Sequence, residues 1–400
     1  MDKRANKKTI QLVKMKQRLF LVFHGRFPSE KAASLFTAES ARAFAGQNLD
    51  VTLIVPRRLG RSKESCFDFY GLPKNFKVVF LPVLDLFALP FIKRFAFGVS
   101  YLSFSIFLFF YLLFSARKSD IIYSNETLPL LFASLVFPRT VYEIHDFPKN
   151  NFYYGAVFRR VKLFVATNLW KKEKIRELFG VSADKIMAEM NAVSLKDFSA
   201  NLNKAEAREK LDLPKEGRLI CYSGMLRTMG MEKGIEILLE AVKSLTSCRL
   251  LIVGGNPEDV EFYKKIAGEY GILDRVIFTG FVPHKKVALY LSASDVLVAP
   301  FPKNDHYEFY MSPMKIFEYM ASNRPIIASD LHSIREILPK GSAVFVPPDD
   351  SSALANGITE LFANKEKASE YSQKALSVVS EHTWEKRAER IISFVEGALQ

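Results

Sequence analysis

The fold prediction starts from a segment in the C-terminal third of the chain, Tyr310-Met-Ser-Pro-Met-Lys-Ile-Phe-Glu-Tyr-Met-Ala-Ser-Asn-Arg-Pro-Ile-Ile-Ala-Ser329. Ser312 is a residue type that caps helices, and Pro313 suits the first helical position because it has no N–H to leave unpaired. Asn323 can adopt the left-handed conformation that ends a helix, and Pro325 cannot continue one. The segment therefore predicts a helix of about two turns, Met314 to Ala321, that leads into a short buried strand.

Lys315 lies in the first turn of this predicted helix, where a cation opposes the positive end of the helix dipole. Backbone N–H groups without partners also point outward at such a terminus. A phosphate would resolve the conflict, since N–H groups and a lysine together bind phosphate well. A solvated lysine that turns away is the alternative, and this feature alone supports the two equally.

The same segment resembles the donor-binding segment of GT-B-fold glycosyltransferases of the retaining family 4 type. The resemblance implies an α/β protein in which two Rossmann-like domains face each other across a cleft. It also implies that Glu318 grips the ribose of a nucleotide sugar, and that Ser312, Pro313 and Lys315 bind this donor. The family usually has a second Glu near the transferred sugar, and Tyr310 stands at that position here.

Length and charge bound the possibilities further. A chain of 400 residues, 49% of them hydrophobic, exceeds what one core usually holds, so two domains are expected. Residues 1–198 carry 31 Lys/Arg and 16 Asp/Glu, whereas residues 199–400 carry 25 and 27, so the basic excess lies in the first half. Such a half can meet nucleic acid, an anionic membrane or an anionic substrate. No nucleic-acid module accompanies the charge, so we expect an anionic membrane surface as partner and no nucleic acid.

The three cysteines have neither metal nor redox spacing, which favours a reducing compartment. No Asp-x-Asp motif occurs, which disfavours the metal-dependent glycosyltransferase fold, and no metal site is expected. The predicted strand and turn at residues 249–255 lack G-x-G-x-x-G, so a dinucleotide cofactor is not supported. The apolar run at residues 19–23 is too short for a signal-peptide core, and nothing marks the chain for secretion.

Strands and helices alternate along the N-terminal half, which indicates a parallel sheet covered by helices. The strand predicted at residues 19–23 is followed by a loop, residues 25–31, whose Pro-Ser-Glu-Lys-Ala run resembles a loop of a family 4 subgroup. The resemblance implies that Gly25, Ser29 and Lys31 lie near the acceptor and the donor sugar. The alternative is that Ser29 only caps the next helix and that the charges are solvated.

His145 directly follows the strand predicted at residues 140–144. A lone histidine is more often structural, but the carboxyl ends of strands in open α/β sheets are where ligands bind. The resembling family also carries a His after the corresponding strand, near the transferred sugar. This match assigns His145 to the catalytic group.

A loop from Gly224 to Gly234 joins the strand predicted at residues 218–223 to a helix. Its two cations, Arg227 and Lys233, suit a pyrophosphate at a helix start. The signal is weak alone, but the loop resembles the family loop in which an Arg and a Lys hold the diphosphate. The segment at residues 276–283 resembles the one whose backbone reads the base, which adds Val282 and Pro283 to the donor side.

Four regions are expected along the chain. They are a basic tail over residues 1–17, an acceptor-side domain over 18–198, a nucleotide-sugar-binding domain over 199–380, and a final helix over 381–400 that crosses back to the first domain.

Residues 95–116 carry no charge and are long enough to span a membrane. A span would place the strands predicted before and after this run on opposite sides of the bilayer and so destroy their sheet. We therefore expect a peripheral helix at headgroup depth on the cytoplasmic face, beside basic residues that include Arg57, Arg58 and Arg61. A fully buried core helix is the alternative.

The predicted function is transfer of a sugar from a nucleoside diphosphate sugar, as substrate, to a glycan or lipid-linked acceptor with retention of configuration. Arg227, Lys233 and Lys315 would place positive charge on the departing diphosphate without a metal. Glu318 would fix the ribose, and His145 would orient the sugar. Two alternatives remain: a subunit that binds nucleotide or glycan without catalysis, which Tyr310 suggests, and a sugar nucleotide epimerase of similar fold.

Overall fold

A computed structural model describes residues 16–60, 62–86, 93–198, 203–228 and 230–398. It contains two parallel β-sheets, and side chains from each sheet pack into a hydrophobic cluster on both of its faces. The predicted α/β class with two Rossmann-like domains is therefore confirmed. The predicted basic tail lies outside these ranges apart from residues 16 and 17. Arg61 and residues 199–202 of the predicted domain junction also lie outside them.

The first sheet is parallel. Its strands are β1 (Arg18–Val22), β2 (Asp50–Pro56), β3 (Lys77–Leu81), β4 (Ile121–Ser124), β5 (Thr140–Ile144), β6 (Leu163–Ala166) and β7 (Ile186–Ala188). Their spatial order is β3-β2-β1-β4-β5-β6-β7, so the order reverses direction between β1 and β4. Crevices at such a switch point, at the carboxyl ends of the strands, are where ligands bind in open α/β sheets.

Helices connect these strands. They are α1 (Ala32–Gly46), α2 (Cys66–Tyr70), α3 (Lys93–Ser115), α4 (Thr127–Ala133), α5 (Phe152–Arg160), α6 (Leu169–Phe179) and α7 (Leu195–Phe198). Local sequence sets several of their ends: Asn168 caps α6 by accepting from the Lys171 N–H, and Gly180 ends it with φ +65°. Successive β1 residues enter different cores, since Leu19 and Leu21 pack on one face of the sheet and Phe20 on the other.

The second sheet has the order β12-β11-β8-β13-β14-β15 and is also parallel. Its strands are β8 (Arg218–Ser223), β11 (Cys248–Val253), β12 (Val276–Phe278), β13 (Val296–Ala299), β14 (Ile326–Ser329) and β15 (Val344–Val346). A small antiparallel hairpin, β9 (Arg227–Thr228) and β10 (Met231–Glu232), lies between β8 and the next helix.

Nine helices accompany these strands within the described residues from Asn203 to Ala398. They are α8 (Lys204–Lys210), α9 (Ile235–Ser244), α10 (Pro257–Glu269), α11 (His284–Ala293), α12 (Met314–Ala321), α13 (His332–Ile337), α14 (Ser351–Ala363), α15 (Lys365–Val379) and α16 (Trp384–Ala398). A single π-helical turn, His306–Tyr310, stands before α12. The helix α16 packs against α1, where Arg42 and Glu385 form an ion pair.

The predicted helix from Met314 to Ala321 is confirmed as α12, and Asn323 has the expected left-handed conformation with φ +52°. The prediction that Ser312 caps this helix is wrong, because Pro313 occupies the N-cap position. The Ser312 hydroxyl instead accepts a hydrogen bond of 3.1 Å from the Asn191 N–H, which belongs to the segment after β7. Ser312 therefore bonds with a residue distant in the sequence instead of with the first turn of its own helix.

The apolar run at residues 95–116 forms α3, which is long and apolar enough to cross a membrane by length and composition alone. Strands that precede and follow it in the sequence pair directly, β1 with β4, and a membrane span would place these two strands on opposite sides of the bilayer. One face of α3 is buried on the sheet through Phe104, Leu108 and Leu112. The alternative of a fully buried core helix is wrong, since Phe114 is 89% exposed and Phe95 66%.

Candidate active site

The carboxyl ends of the two sheets face each other across a cleft, which direct contacts close at one end. Phe147, three residues after β5, stacks on Tyr310 of the π-turn with ring centroids 5.0 Å apart. The side chain of Asn168, after β6, donates to the carbonyl oxygens of Phe309 and Met311 at 2.7 and 3.3 Å. The segments after β5 and β6 of the first sheet therefore contact the π-helical turn that follows β13 of the second sheet.

Lys315 is the most unusual group on the second-sheet wall. Its ammonium nitrogen is buried and has no hydrogen-bond partner within the described ranges. The nitrogen lies 3.7 Å from the centroid of the Tyr222 ring and 5.3 Å from that of Phe301. Burial, together with the charge of Lys233, holds the pKa of Lys315 well below its usual value. Since a buried ammonium without a counter-ion is costly, such a group indicates a functional site for an anion.

Two glycines let backbone and cations approach closely here. Gly224, with φ +120°, follows β8, and a Cβ added to it would lie 3.2 Å from the Lys315 nitrogen. Gly234 has φ +80°, and a Cβ there would lie only 1.6 Å from the carbonyl oxygen of Pro300, so no other residue fits. Gly234 fixes the position of Lys233, whose pKa burial lowers to about 8. Burial desolvates both Lys233 and Lys315, and the two lie close enough for the charge of Lys233 to lower the pKa of Lys315.

Arg227 is placed differently. Its guanidinium lies 4.0 Å from the centroid of the Phe262 ring and 5.4 Å from that of Tyr263, both on α10. A hydrogen bond from Arg227 to Tyr263 raises the pKa of the guanidinium. The structure therefore brings Lys233 and Lys315 together, while Arg227 packs on α10 instead.

Glu318 lies one helical turn after Lys315 on α12. Its Oε1 is 2.8 Å from Nε2 of His284, the first residue of α11. Burial alone would lower the pKa of His284, but the hydrogen bond and charge of Glu318 outweigh it and raise that pKa. Pro283 takes the N-cap position of α11, and Val282 packs against the second-sheet core. The predicted base-reading segment therefore ends beside Glu318.

His145 lies on the first-sheet wall, directly after β5. Its Nε2 atom is buried and forms no hydrogen bond with the residues that the structure describes, although Glu143 Oε1 lies 3.5 Å away. The ring of Phe36 packs edge-on against the imidazole at 4.7 Å. Burial alone would raise the pKa of Glu143, but the charges of Arg387 and His145 hold it at about 2. The His145 Nε2 atom therefore lies beside a firmly ionised carboxylate.

The loop of residues 25–31 lies on the same wall. A Cβ on Gly25 would lie 2.2 Å from the Phe23 ring, so a larger residue at this position would require that ring to shift. The backbone N–H of Ser29 donates to the Tyr70 hydroxyl, and the Ser29 carbonyl accepts from it, while the Ser29 hydroxyl oxygen is buried without a partner in the described part of the chain. Lys31 is exposed and takes the N-cap position of α1, so the alternative in which Ser29 caps that helix is wrong.

Tyr310 belongs to an aromatic cluster that crosses the cleft. Besides its contact with Phe147, it lies 5.5 Å from the Trp170 ring, which stacks on Phe309 at 4.9 Å. The nearby carboxylate of Glu308 accepts from the N–H of His332 and so belongs to the start of α13. Tyr310 therefore contributes an aromatic surface, rather than a carboxylate, to this end of the cleft.

The described ranges contain no group of three or more His, Cys, Asp or Glu side chains placed to hold a metal ion. Of the predicted site residues, three contribute buried polar atoms that lack hydrogen-bond partners in those ranges: Ser29, His145 and Lys315. Two of these lie on the first-sheet wall and one on the second-sheet wall. Unpaired buried polar atoms on facing walls are typical of a site that binds a polar ligand between them.

Residues 203–378 match the protein family described as glycosyl transferases group 1. The chain is 29% identical over 188 residues to a phosphatidyl-myo-inositol mannosyltransferase of Mycobacterium leprae, a match that covers 46% of this chain and 47% of the relative. The chain spans about half the length of the curated relatives that it matches.

The likeness to solved structures covers nearly the whole chain. Sucrose-phosphate synthase from Thermosynechococcus elongatus superimposes with a TM-score of 0.78 at 20% identity, covering 96% of this chain and 99% of the other. Anabaena HepE in complex with UDP-glucose superimposes with a TM-score of 0.71 at 16% identity, covering 95% and 99%. The fold is GT-B.

One further residue on the first-sheet wall, Lys171 of α6, could not be predicted from the sequence. This lysine is fully buried, and its ammonium donates to the carbonyl oxygens of Ile144 and His145 at 3.0 and 2.6 Å and to the Thr167 hydroxyl. Burial lowers its pKa to about 7. Lys171 therefore anchors the backbone that carries His145. Its helix is rich in charge, so nothing in the sequence distinguishes it from solvated lysines nearby.

Proposed function

We propose that the protein is a retaining glycosyltransferase that moves a sugar from a nucleoside diphosphate sugar to a lipid-linked or polysaccharide acceptor. One observation carries the proposal: the buried, unpaired ammonium of Lys315 lies against Gly224 and near Lys233, one helical turn before Glu318. The match of residues 203–378 to glycosyl transferases group 1 supports it independently.

The charges fit a diphosphate leaving group. Glycosyl transfer from such a donor develops negative charge on the departing diphosphate, and preorganised cations stabilise that charge best when they are already desolvated. Lys233 and Lys315 meet this requirement, since burial lowers the pKa of each. The same two lysines make a resident metal unnecessary for charge neutralisation, so we propose a metal-independent transfer with no cofactor.

The remaining residues fit the rest of the donor and the acceptor. Glu318 would accept hydrogen bonds from the ribose, and the preceding segment with Val282 and Pro283 would contact the base. His145 and Ser29 belong to the opposite wall, where the transferred sugar and the acceptor hydroxyl would lie, and each has a buried polar atom without a hydrogen bond in the described residues. Among the structural neighbours, HepE forms a complex with UDP-glucose, which supports a nucleotide sugar as donor. Retention of configuration rests on the family 4 resemblance.

Ligand binding and product analysis test the proposal together. A panel of UDP- and GDP-sugars should include one that raises the free energy of unfolding by about 2.7 kcal/mol at a hundred times its dissociation constant. The stabilising donor should then lose its sugar to a lipid-linked or glycan acceptor. Absence of stabilisation by the whole panel would overturn the proposal. Binding without transfer would indicate a non-catalytic subunit, and an isomerised sugar nucleotide without acceptor would indicate an epimerase.

Donor affinity is expected to fall as the pH rises above about 8, the pKa of Lys233 in the free protein. A bound diphosphate raises the pKa of Lys233 and of Lys315, because its negative charge favours both ammonium forms. A group whose pKa rises on binding strengthens binding fully below its free pKa, and this contribution is lost as the pH rises towards the bound value. Lys315, whose pKa is also lowered by burial, contributes a pH dependence of the same sign.

Titration calorimetry with the best donor measures this effect. A nucleoside diphosphate sugar is suitable because its phosphate diesters do not titrate in this range. Measurements in two buffers of different ionisation enthalpy should show net proton uptake on binding. The Lys233→Met variant should lose the part of the pH dependence that lies above about pH 8. An affinity that is constant across the pH series would contradict the assignment of both lysines.

We also propose that the protein is cytoplasmic and binds the inner face of the membrane through α3. The outward face of α3 is a continuous apolar strip formed by Phe95, Leu102, Ile106, Phe107, Phe110, Leu113 and Phe114. Exposed Arg117 and Lys118 directly follow α3, and exposed Arg159 and Arg160 end α5, which packs on α4, the neighbour of α3. An apolar helix face beside basic residues suits insertion at the headgroups of anionic lipids.

The buried face of α3 connects this strip to the acceptor side. The Ser100 hydroxyl lies 3.1 Å from Nε2 of His24, the residue before Gly25, and it also accepts from Arg58. A lipid-linked acceptor would therefore be delivered beside the loop of residues 25–31. One relative is named for transfer to phosphatidyl-myo-inositol, a membrane lipid, which supports an acceptor of this class.

Vesicle flotation tests the membrane proposal. The protein should bind vesicles that contain phosphatidylglycerol much better than vesicles of phosphatidylcholine alone, because each surface Lys or Arg contributes on the order of 1 kcal/mol. The triple variant Phe107→Ser, Phe110→Ser, Phe114→Ser should lose binding while its melting temperature holds, since all three side chains are exposed. Leu273→Ser, an exposed apolar position of the other domain, serves as control. Triple-variant binding equal to wild type, or a wild-type chain that dimerises through α3, would refute this orientation.

A further inference from the structure

The contact between His284 and Glu318 joins two helices whose link the sequence did not reveal. His284 Nε2 and Glu318 Oε1 are 2.8 Å apart, a hydrogen bond that holds one oxygen of the carboxylate. No bond to the second oxygen of Glu318 occurs between the residues that the structure describes. Glu318 itself sits in the middle of α12, while His284 opens α11.

The imidazole of His284 is held in place on several sides. Pro283, at the N-cap, restricts the backbone just before it, and the Phe198 ring lies at 6.0 Å in an edge-on arrangement. Besides Glu318, the carboxylates that act on His284 are Glu39 of α1 and Asp197 of α7. Of these three, Glu318 is the one within hydrogen-bond distance. The imidazole of His284, which donates the hydrogen bond to Glu318, is therefore held in place before any ligand binds.

Resting on the proposed function, we propose that His284 is a positioning residue that holds the Glu318 carboxylate ready to accept hydrogen bonds from the ribose hydroxyls of the donor. A free Glu side chain would lose rotamer freedom each time it bound a ribose, which weakens binding. His284 removes that cost by restraining one oxygen and directing the other towards the cleft. The pair thereby sets the preference for ribonucleotides over 2′-deoxyribonucleotides.

The test compares UDP with 2′-deoxy-UDP, and GDP with 2′-deoxy-GDP, by titration calorimetry. Wild-type protein should prefer the ribonucleotide of the better-binding base by about tenfold or more, since the lost hydrogen bond involves a charged acceptor. His284→Leu should reduce this preference to about threefold or less, chiefly through weaker ribonucleotide binding. His284→Gln should restore most of it, because the Gln amide can donate to Glu318 from a similar position.

Two further variants separate positioning from general damage. Glu318→Gln should show the same reduced preference, and adding His284→Leu to it should change the preference no further, as expected of residues that act as one unit. His332→Leu is the matched control, because His332 also lies beside a carboxylate, with Nδ1 at 3.4 Å from Glu336, but outside the donor side. Its preference should equal that of wild type.

The outcomes distinguish this inference from the proposed function. Wild-type protein that binds neither UDP nor GDP overturns both. Wild-type protein that prefers the ribonucleotide, with an unchanged preference in His284→Leu, overturns the role of His284 alone. A double variant whose preference falls clearly below that of Glu318→Gln also overturns it, because the two residues would then act independently. Equal weakening of the ribo- and deoxyribonucleotide in His284→Leu also contradicts it, because a general structural role would produce that pattern.

Discussion

Replacing Lys315 with methionine is expected to reduce donor turnover by about 100-fold or more while leaving the free energy of unfolding unchanged or higher. The two effects have one cause. The ammonium is buried over the Tyr222 ring with no partner in the described chain, so the free protein bears a desolvation cost that methionine removes. The methionine side chain has a similar length and can keep the contacts with Tyr222 and Phe301. The departing diphosphate, in contrast, loses a cation held close to it.

The measurement pairs steady-state kinetics with denaturant unfolding of the same preparations. Lys365→Met is the matched control: Lys365 also lies in the first turn of a helix, α15, but is exposed. It should leave both turnover and stability near wild type. Wild-type kcat/KM in Lys315→Met would remove this residue from the donor site. A large loss of stability would contradict the view that the buried Lys315 ammonium serves ligand binding and makes folding less favourable.

Buried strands could be predicted from the sequence because they are short apolar runs with polar ends. The strands at Thr140–Ile144 and Arg218–Ser223 match the structure to the residue. Two edge strands were missed, β3 and β15. The side chains of β3 are mostly half-exposed and β15 has three residues, so neither produces the strong local pattern of a central strand. Pairing with a neighbour, which local sequence does not encode, decides that such segments become strands.

Residues of the candidate site could be predicted where a local sequence rule applied. They could not be predicted where contact with a residue distant in the sequence determines their role. Lys315 stood out because a cation in the first turn of a helix conflicts with the helix dipole, and the structure gives this cation no partner within the described chain. His284 and Lys171 gave no such signal, since their roles arise from Glu318 and from the backbone around His145, far away in sequence. Arg227 resembles a diphosphate ligand in sequence, yet α10 supplies an aromatic ring on which it packs.

Replacing Arg387 with methionine is expected to destabilise the protein by about 3–5 kcal/mol, the cost of leaving the other half of a buried ion pair alone. Arg387 of α16 is 1% exposed and donates to the carboxylate of Glu143 on β5, and its Nε donates to the Met190 carbonyl at 2.9 Å. Glu143 also accepts from the Tyr123 hydroxyl at 2.8 Å. This network ties α16 to the first sheet directly behind His145.

The coupling free energy between Arg387 and Glu143 is measured by equilibrium unfolding of four proteins: wild type, Arg387→Met, Glu143→Gln and the double variant. The double variant should recover most of the lost stability, because it removes the uncompensated carboxylate while keeping an acceptor for the Tyr123 hydroxyl. Arg390→Met is a suitable control, since Arg390 pairs with Glu189 nearer the surface and should cost much less. Full additivity of the two single changes would contradict a coupled pair.

The stability lost in Arg387→Met is expected to depend on pH through the ionisation of Glu143. In the wild type, burial would raise the pKa of Glu143, but Arg387 lowers it from 4.5 to about 2. A depressed pKa contributes stability that is present above 4.5 and lost as the pH falls towards about 2. In Arg387→Met, burial acts without its main opposing charge, so the pKa of Glu143 should rise and the native state should accept a proton more readily than the unfolded chain. The stability difference between wild type and variant should therefore be largest near neutral pH and shrink in acid. A difference that does not change with pH would show that Arg387 acts through packing alone.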